Sequence, residues 1–438
     1  MTTADTVLNA RWVIPVEPAG TLEHHSVAIR DGRIVAVLPT VQATAEFTAR
    51  ETITLDTHAL IPGFVNAHTH AAMSLFRGLA DDLPLMDWLQ KHIWPAEAKH
   101  VTPAFIRDGA RLAIAEMLLS GTTCFNDMYF FPEQTAEIAR EAGMRASLGM
   151  ILLDFPTAYA ATADEYIEKG LALHDTLRDN SLLRAVFAPH APYTVSDAPL
   201  ARVRVLANEL DVPIHMHVHE TAFEVADAQA NTGKRPLARL DALDLLGPDL
   251  IAVHMTQLDE SEIARAAQAG LHVAHCPESN LKLASGFCPV HALMRAGVNV
   301  CLGTDGAASN NDLDMLGEMR TAALIAKAVA GDAQALPAAS ALRMATLNGA
   351  RALGRDSEIG SITVGKAADL TAIDLGDIAT QPVYDPVSQI VYSATRGDVT
   401  DVWVAGRRLL HARRLTSLDQ AAILKSAAAW RDRISTRS

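Results

Sequence analysis

The chain has 438 residues, a length that accommodates one large barrel together with a small additional domain. With 49% hydrophobic and 20% charged residues it has the composition of a globular protein, which excludes extensive disorder. A net charge of −14, without any run of Lys or Arg, argues against nucleic acid as a partner. The first residues lack the pattern of a signal peptide, and no apolar stretch reaches the ~20 residues that span a bilayer. We therefore expect a cytoplasmic protein with no membrane partner.

Both ends of the chain have the apolar alternation of β-strands. Near the start, Ser26–Arg30 and Arg33–Leu38 are joined by Asp31-Gly32, a dipeptide that favours a tight hairpin. A similar pattern returns after residue 360. The predicted division is residues 1–59 and 361–412 for one small β-sandwich-like domain, residues 60–360 for a domain inserted between these two parts, and residues 413–438 for a C-terminal helix.

The segment Leu60–His70, LIPGFVNAHTH, predicts a buried strand that ends in two histidines. Because side chains alternate along a strand, His68 and His70 face the same side and Thr69 faces away. Two neutral imidazoles at a strand end suit one metal ion such as zinc. Chance placement of two histidines near a loop is the alternative, and the HxH pattern alone does not decide between them. The four cysteines show no CxxC spacing, so neither a thiolate zinc site nor a disulfide framework is predicted.

Residues 71–100, which include Trp88 and Glu97, are predicted to form a long loop. Loops of this length inside a compact domain are usually lids or binding loops. The segment that follows predicts a helix, because Thr102 suits the N-cap, Pro103 the first turn and Gly121 the C-terminal end.

Strand-like apolar segments then alternate with helical segments as far as residue 305. Together with the strand that begins at Leu60 there are eight, the others being Gly121–Asp127, Met144–Leu152, Leu183–His190, Pro213–His219, Leu250–His254, Leu271–His275 and Asn299–Asp305. This alternation predicts an α/β fold of the (β/α)8 TIM-barrel type. A doubly wound sheet is the alternative, but the Gly-rich phosphate loop expected after one of its first strands is absent.

Residues with ligand or acid–base chemistry fall at or just past the predicted strand ends, where barrels of this type place their active sites. They are His68, His70, His190, His217, Glu220, His254 and Asp305. His215, His217 and His219 alternate on one strand face, so the pattern alone does not show which of them reaches a metal. Asp305 suits a metal ligand or a base, with helix capping as the alternative.

Several of these residues stand in motifs that resemble the amidohydrolase superfamily and, more narrowly, the methylthioadenosine/S-adenosylhomocysteine deaminases. The motifs are HTH at 68–70, APHAPYTVS at 188–196, HVHE at 217–220, CPESNLKLASG at 276–286 and GTDGAASNN at 303–311, together with His254. They occur in order over nearly the whole chain, which makes the superfamily resemblance strong. Triazine chlorohydrolases and guanine deaminases share much of the pattern.

The resemblance implies one divalent metal ion per chain, expected to be Zn²⁺, although Fe or Mn would accept the same ligands. The implied ligands are His68, His70, His217 and Asp305. Glu220 is implied as the proton shuttle, and His254 acts with Asp305 on the hydrolytic water. The implied substrate contacts are Glu97 with the ribose hydroxyls, His190 with the purine or ribose, and Trp88 and Met150 elsewhere on the nucleoside.

The implied reaction is hydrolytic removal of the 6-amino group of an adenine nucleoside. In the family, an Arg on the strand after GMRA and another in the loop beyond it are taken to pair with the carboxylate of S-adenosylhomocysteine. Here the strand position is Met150 and the next arginine is Arg178, so we expect 5′-methylthioadenosine to be preferred over S-adenosylhomocysteine or adenosine. A chlorohydrolase or another deaminase acting on a different heteroaromatic ring is the alternative, and a non-catalytic scaffold is disfavoured because no site residue is lost. Assembly as a homo-oligomer and the roles of His215 and His219 are left open.

Overall fold

The computed structural model describes residues 1–435, which form a parallel barrel and a second sheet built from both ends of the chain. The strands are β1 Thr2–Val13, β2 Leu22–Arg30, β3 Arg33–Pro39, β4 Phe47–Pro62, β5 Phe64–Thr69, β6 Thr122–Asp127, β7 Arg145–Leu152, β8 Leu183–Pro189, β9 Ile214–Val218, β10 Leu250–His254, β11 His272–His275, β12 Asn299–Leu302, β13 Leu370–Asp374, β14 Val399–Val404, β15 Arg407–His411 and β16 Arg414–Leu415. The helices are α1 Thr40–Glu46, α2 Leu85–Trp88, α3 Trp94–His100, α4 Pro103–Leu119, α5 Pro132–Ala142, α6 Ala163–Leu177, α7 Asp197–Leu210, α8 Ala222–Thr232, α9 Pro236–Ala242, α10 Glu260–Ala269, α11 Pro277–Lys282, α12 Val290–Arg295, α13 Met315–Ala330, α14 Ala338–Met344, α15 Leu347–Ala352, α16 Pro386–Tyr392 and α17 Gln420–Ser435. None of these helices is long and apolar enough to cross a membrane.

The barrel consists of β5 to β12, which lie side by side in chain order with every paired strand parallel. Its strands are buried on both faces, which explains their nearly continuous apolar sequences. The ring closes between its first and last strands, where the Asp305 N–H donates to the His68 carbonyl at 3.0 Å. The predicted (β/α)8 barrel is confirmed, and the doubly wound sheet is excluded.

Local sequence explains where the barrel helices begin and end. At α10, the Asp259 carboxylate accepts the Glu262 N–H at 2.9 Å, and the Glu262 carboxylate accepts the Asp259 N–H at 3.0 Å. This reciprocal capping box satisfies two of the N–H groups that a helix start leaves without partners. The helix ends at Gly270, whose φ of 74° is the left-handed conformation that glycine adopts readily.

The second sheet has the strand order β16-β15-β14-β13-β4-β1-β2-β3. Its predicted hairpin is present, since Asp31 and Gly32 connect β2 to β3 with φ values of 51° and 74°. The sheet curls so that this hairpin meets the far strands, and the Ala368 N–H donates to the Gly32 carbonyl at 2.9 Å. A Cβ at position 32 would lie 2.5 Å from the Ala405 carbonyl oxygen, so only glycine fits there. The curl encloses an apolar core of its own that includes Trp403.

The structure corrects the predicted single strand from Leu60 to His70. Residues up to Pro62 complete β4 of the second sheet, and the barrel strand β5 begins at Phe64. The chain crosses between the two sheets at Gly63, where a Cβ would lie 2.1 Å from the Thr123 side chain. The C-terminal helix is also shorter than predicted, because residues 414–415 form β16 and α17 begins at Gln420. The last predicted positions, 436–438, lie outside the described residues.

The prediction of a long loop over residues 71–100 was wrong, because most of this segment is helical. It contains a 3₁₀ turn at Ala71–Phe76, α2, a π-helical turn at Leu89–Ile93 and α3. The buried side chains at 85, 88, 89 and 93 follow a helical spacing. The segment leads into α4 as predicted, where the Thr102 hydroxyl accepts the Phe105 N–H at 3.2 Å. We call residues 85–100 the covering segment, because they form one wall of the cavity described below.

Candidate active site

The predicted site residues converge at the C-terminal ends of the barrel strands. His68 lies in β5 and His70 just after it, His217 lies in β9 and His254 in β10. His190, Glu220 and Asp305 lie in the turns that follow β8, β9 and β12. Six of them border one cavity with a volume of about 650 Å³, and His68 lies directly behind them. The barrel therefore brings together residues that are as many as 237 positions apart in the chain, such as His68 and Asp305, which a backbone hydrogen bond joins.

Donor atoms of these residues form two overlapping groups within 4.8 Å, one of His68, His70 and Asp305 and one of His68, His217 and His254. The Asp305 Oδ1 atom lies 3.3 Å from the Nε2 atoms of both His68 and His70. The His217 Nε2 atom lies 3.2 Å from the His68 Nε2 atom. His254 also groups with His68 and His217, which places it at the edge of the same cluster. Three imidazoles and a carboxylate form a donor set suited to zinc.

Hydrogen bonds outside the cluster determine which ring nitrogen each histidine presents to the cavity. The Nδ1 atom of His70 lies 2.5 Å from the Met128 carbonyl oxygen, and that of His217 lies 2.7 Å from the His190 carbonyl oxygen. Because a carbonyl only accepts, both Nδ1 atoms carry hydrogen and both Nε2 atoms offer a lone pair to a metal. Burial lowers the pKa of His68 to about 4 and that of His217 well below its usual value, so these ligands are neutral at pH 7.

The structure separates His215, His217 and His219, in β9 and just after it, which the alternation pattern could not distinguish. His215 lies behind the cluster, with its Nε2 atom 2.9 Å from the Nδ1 atom of His68. His219 faces away from the cluster and accepts the Leu237 N–H at 3.0 Å. Its other ring nitrogen lies 3.2 Å from the Gln257 carbonyl oxygen. His217 alone among the three points into the cavity, and the other two support surrounding structure.

Asp305 is held by partners on both of its carboxylate oxygens. The Ser279 hydroxyl donates to Oδ2 at 2.7 Å, and the Gly306 N–H donates to Oδ1 at 2.7 Å. The backbone at Asp305 has a φ of 64°, an uncommon conformation for a residue with a side chain. Ser279 was not among the predicted site residues, although it belongs to the CPESNLKLASG motif, because only the folded barrel brings it to the carboxylate.

Glu220 is buried beside the donor cluster, with its Oε1 atom 3.8 Å from the Nε2 atom of His254. Burial and, to a smaller extent, the charge of Asp305 together raise its pKa to about 8. The carboxyl group is therefore protonated at neutral pH and is able to donate a proton. The Glu224 carboxylate fixes its backbone by accepting the Glu220 N–H at 2.7 Å.

His254 is oriented for the opposite role. Its Nδ1 atom lies 2.8 Å from the side-chain oxygen of Asn280, so Nδ1 donates and Nε2 faces the cavity as an acceptor. Burial lowers the pKa of His254, which keeps the ring neutral and able to accept a proton. Asn280, like Ser279, comes from α11 and was not predicted as a site residue.

The cavity has one polar end and one apolar wall. Glu97 lies in the polar part, where its Oε1 atom accepts a hydrogen bond from the Tyr129 hydroxyl at 2.6 Å. His190 also lines the cavity, and its Nδ1 atom lies 3.0 Å from the Thr194 hydroxyl oxygen. The apolar wall is formed by side chains of the covering segment and of the end of β7 with its following loop, namely Leu85, Trp88, Leu89, Ile93, Ile151, Leu153, Phe155 and Pro156.

One predicted substrate contact is corrected by the structure. Met150 does not line the cavity but packs against α6, where a Cβ added to Gly170 would lie 2.8 Å from the Met150 Cβ atom. Since side chains alternate along β7, its neighbour Ile151 faces the cavity instead. Trp88, Glu97 and His190 do line it. Tyr129 and Tyr193 also line the cavity and were missed, although both follow predicted strand ends.

The family model described as "Amidohydrolase family" matches residues 59–409, which include the barrel and most of the second part of the other sheet. The chain belongs to the amidohydrolase family. A relative in Saccharophagus degradans is 54% identical over 434 residues, 99% of this chain and 97% of that protein. It carries the name 5-methylthioadenosine/S-adenosylhomocysteine deaminase. The predicted family and the predicted class, a hydrolytic deaminase, are confirmed.

Two solved structures bear on the fold and the donor cluster. A crystal structure of an adenosine deaminase from Xanthomonas campestris with bound zinc is 57% identical, with a TM-score of 0.98 and 99% of both chains covered. A crystal structure of atrazine chlorohydrolase from Arthrobacter aurescens complexed with zinc has a TM-score of 0.91, 23% identity and coverage of 97% of this chain and 99% of that chain. The second likeness shows the shared fold alone.

Proposed function

We propose that this amidohydrolase removes the 6-amino group of 5′-methylthioadenosine by hydrolysis, giving the inosine-type product and ammonia. The observation that carries the proposal is the arrangement of one cavity. A donor cluster and a protonated Glu220 lie at its base, Glu97 lies in its polar part, and an apolar wall completes it. These three features match the reacting ring, the ribose and a small apolar 5′ group of one substrate.

The metal ion that fits the cluster is Zn²⁺, and His68, His70, His217 and Asp305 would hold it. The fit rests on the neutral, preoriented Nε2 atoms and on the anionic carboxylate within 3.3 Å of two of them. When bound, such an ion lowers the pKa of water to about 7 and so makes hydroxide available at neutral pH. The zinc named for the similar Xanthomonas campestris enzyme supports this choice.

Side chains of the protein then donate and accept the protons of the reaction. Glu220 donates its proton to ring N1, which makes C6 electrophilic. Asp305 and the Nε2 atom of His254 accept the proton of the water that adds to C6. Delivery of that proton to the 6-amino group allows it to leave as ammonia. The C6–N bond breaks as the C6 carbonyl forms, and the remaining proton of the added oxygen returns to Glu220. General acid help of the kind given by Glu220 contributes about 10²–10⁴-fold to the rate.

Two residues in the cavity bind the rest of the nucleoside. The Glu97 carboxylate accepts hydrogen bonds from the 2′- and 3′-hydroxyls of the ribose. His190, which lines the same cavity, contacts the purine or ribose. A triazine has no ribose hydroxyls and would leave Glu97 without a partner, which disfavours the chlorohydrolase alternative.

The apolar wall explains the expected preference for the methylthio group. Within residues 1–435, no Lys or Arg lines the cavity. The amine and carboxylate of S-adenosylhomocysteine would therefore lose their hydration beside Leu153 and Phe155 without gaining a charged partner. This desolvation costs at least about 1–3 kcal/mol of binding free energy. A thiomethyl group gains roughly 0.8 kcal/mol for each buried carbon in the same place. We expect kcat/KM for methylthioadenosine to exceed that for S-adenosylhomocysteine by about tenfold or more.

The test is a deamination screen of methylthioadenosine, S-adenosylhomocysteine and adenosine with the zinc-loaded protein. Each reaction is followed by the ultraviolet change from adenine to hypoxanthine and by ammonia release, with atrazine and chloride release as the alternative arm. Fast turnover of methylthioadenosine is the expected result. Absence of ammonia from all three nucleosides would overturn the proposed reaction, and equal rates for the first two would overturn the role of the apolar wall.

A further inference from the structure

We propose that Tyr129 is a positioning residue that holds Glu97 in place for the ribose, with its own position fixed by the strand end that carries the metal ligand His70. The proposal rests on the proposed function, because it concerns the ribose that Glu97 binds. It assigns a purpose to a buried tyrosine that takes no part in the proton transfers described above.

The contact between the two side chains is direct and short. The Tyr129 hydroxyl donates to the Oε1 atom of Glu97 at 2.6 Å, and the tyrosine is only 5% exposed. A neutral hydroxyl that donates to a carboxylate favours the ionised, hydrogen-bond-accepting form of that carboxylate. Because this bond uses one lone pair of Oε1, the second oxygen of Glu97 stays available to accept from a diol.

Glu97 needs such a partner because its own element holds it weakly. It belongs to α3, a helix of seven residues that follows a π-helical turn and has no fully buried side chain. Burial in the cavity works against the charged form of Glu97, and its pKa is raised to about 7 even though the Tyr129 bond opposes this effect. The covering segment therefore places the carboxylate near the ribose, and Tyr129 determines its orientation and charge.

Tyr129 is well suited to this task because its backbone is tied to the end of β5. The Met128 N–H donates to the Thr69 carbonyl at 3.0 Å, and the Met128 carbonyl accepts from the His70 Nδ1 atom at 2.5 Å. The preceding residue, Asp127, accepts the Thr69 hydroxyl at 3.0 Å. Residues 127–129 thus connect the strand that carries the metal ligand to the Glu97 carboxylate, which binds the ribose. This connection sets the distance between the reacting ring and the sugar.

The test uses the Glu220→Gln protein, in which turnover of the nucleoside is expected to be about 10²–10⁴-fold slower. Calorimetry measures the Kd of methylthioadenosine and of its 2′,3′-dideoxy form, with and without Tyr129→Phe. We expect Tyr129→Phe to raise the Kd of the ribonucleoside about tenfold or more and to leave the Kd of the dideoxy form unchanged. Bound zinc should stay at one ion per chain, because the Met128 carbonyl that orients His70 is retained.

Tyr166→Phe is the matched control. Tyr166 is also buried, and its hydroxyl lies 2.6 Å from the Thr157 hydroxyl, so the variant loses a similar hydrogen bond away from Glu97. It should leave the ratio of the two Kd values unchanged. Equal losses of affinity for both nucleosides in Tyr129→Phe, or no loss for either, would overturn the proposal. Failure of methylthioadenosine to bind the parent protein would overturn the ribose site itself, whereas loss of ammonia release alone would count only against the proposed reaction.

Discussion

Each histidine of the donor cluster uses one ring nitrogen for a protein partner and keeps the other for the cavity. For His70 and His217 the partner is a backbone carbonyl, and for His68 it is the ring of His215. Partners of this kind fix the tautomer and raise the basicity of the ligand. When the Nε2 atom of His215 accepts from the Nδ1 of His68, the Nδ1–H of His215 is left as a buried donor without a hydrogen-bond partner among the described residues.

Replacing one donor should remove the metal. We expect His68→Ala to lose the bound ion, because a four-donor site keeps only three protein ligands and loses the donor that lies 3.3 Å from Asp305 and 3.2 Å from His217. Metal analysis of the purified protein measures this, with circular dichroism to check the fold. His291→Ala, which removes a partly exposed histidine of α12, is the control and should retain one ion per chain. A folded His68→Ala protein with a full equivalent of metal would contradict the ligand assignment.

Glu220→Gln should keep the metal and lose most of the turnover. Glutamine has nearly the same shape and can hydrogen-bond to N1, but it cannot deliver a proton as a carboxylic acid does. The expected loss in kcat is about 10²–10⁴-fold. Ammonia release measures it, and a loss smaller than about tenfold would contradict the role of Glu220 as the acid.

The pH dependence of kcat provides an independent test of the role of Glu220. Burial raises the pKa of Glu220 to about 8, so the active, protonated form is present below that pH and is lost as the pH rises through it. A bound cation lowers this pKa, which moves the alkaline decline in kcat to about 8 or below. The residual activity of Glu220→Gln should lack this decline. An unchanged profile in the variant would show that another group causes it.

At the scale of elements, the end of β7 and its following loop control which 5′ group the cavity accepts. Phe155 lies in this wall and is 41% exposed, so a longer polar side chain fits there without a large cost of burial. We expect Phe155→Arg to shift the ratio of kcat/KM values about tenfold toward S-adenosylhomocysteine, because the guanidinium pairs with its carboxylate.

The control for this change is Phe223→Arg, which adds the same charge at a phenylalanine that is 58% exposed and does not line the cavity. It should leave the substrate ratio unchanged. Steady-state kinetics with both substrates for both variants decides the matter. An equal shift in the two variants would mean that general attraction to added positive charge, rather than the wall, changes the specificity.

Strand periodicity could predict that these residues lie together because they are local features of strand ends. The spacing of His68 and His70 determines that they share a face, and the eight alternating segments determine that the ends meet. Residues that depend on contacts between distant segments were missed, since nothing in the local sequence brings Tyr129 to Glu97 or Ser279 to Asp305. Met150 shows the remaining error, because a shift of one position along a strand reverses the side chain from the cavity to the helix layer.

At the scale of the whole molecule, a buried ion pair joins the barrel to the second sheet. Arg145 begins β7, and its guanidinium donates to both carboxylate oxygens of Asp369 at 2.7 and 3.1 Å. Both side chains are almost fully buried, and Asp369 also accepts the Ala405 N–H at 2.7 Å. The two paired residues are 224 positions apart in the chain.

Asp369→Ala should destabilise the protein by about 3–5 kcal/mol, because it leaves the buried Arg145 charge with only the more distant Glu358 carboxylate, 3.7 Å away. Chemical denaturation followed by circular dichroism measures the change. Asp175→Ala is the control, since it removes the partner of Arg178 from a pair in which both side chains are about two-thirds exposed. That variant should show a much smaller effect. Similar stability losses in both variants would contradict the view that the buried pair fastens the two sheets together.

The closure of the barrel on its first strand has a consequence for biosynthesis. His68 and His70 emerge early from the ribosome, whereas Asp305, whose N–H closes onto the His68 carbonyl, emerges with the last barrel strand. At about 5–20 residues per second, the nascent chain carries an incomplete donor set for roughly ten seconds or more. A pair of histidines on a flexible chain competes poorly for ions, so the complete centre exists only after the final strand has docked. We therefore expect metal acquisition to be a late step that reports on completion of the fold.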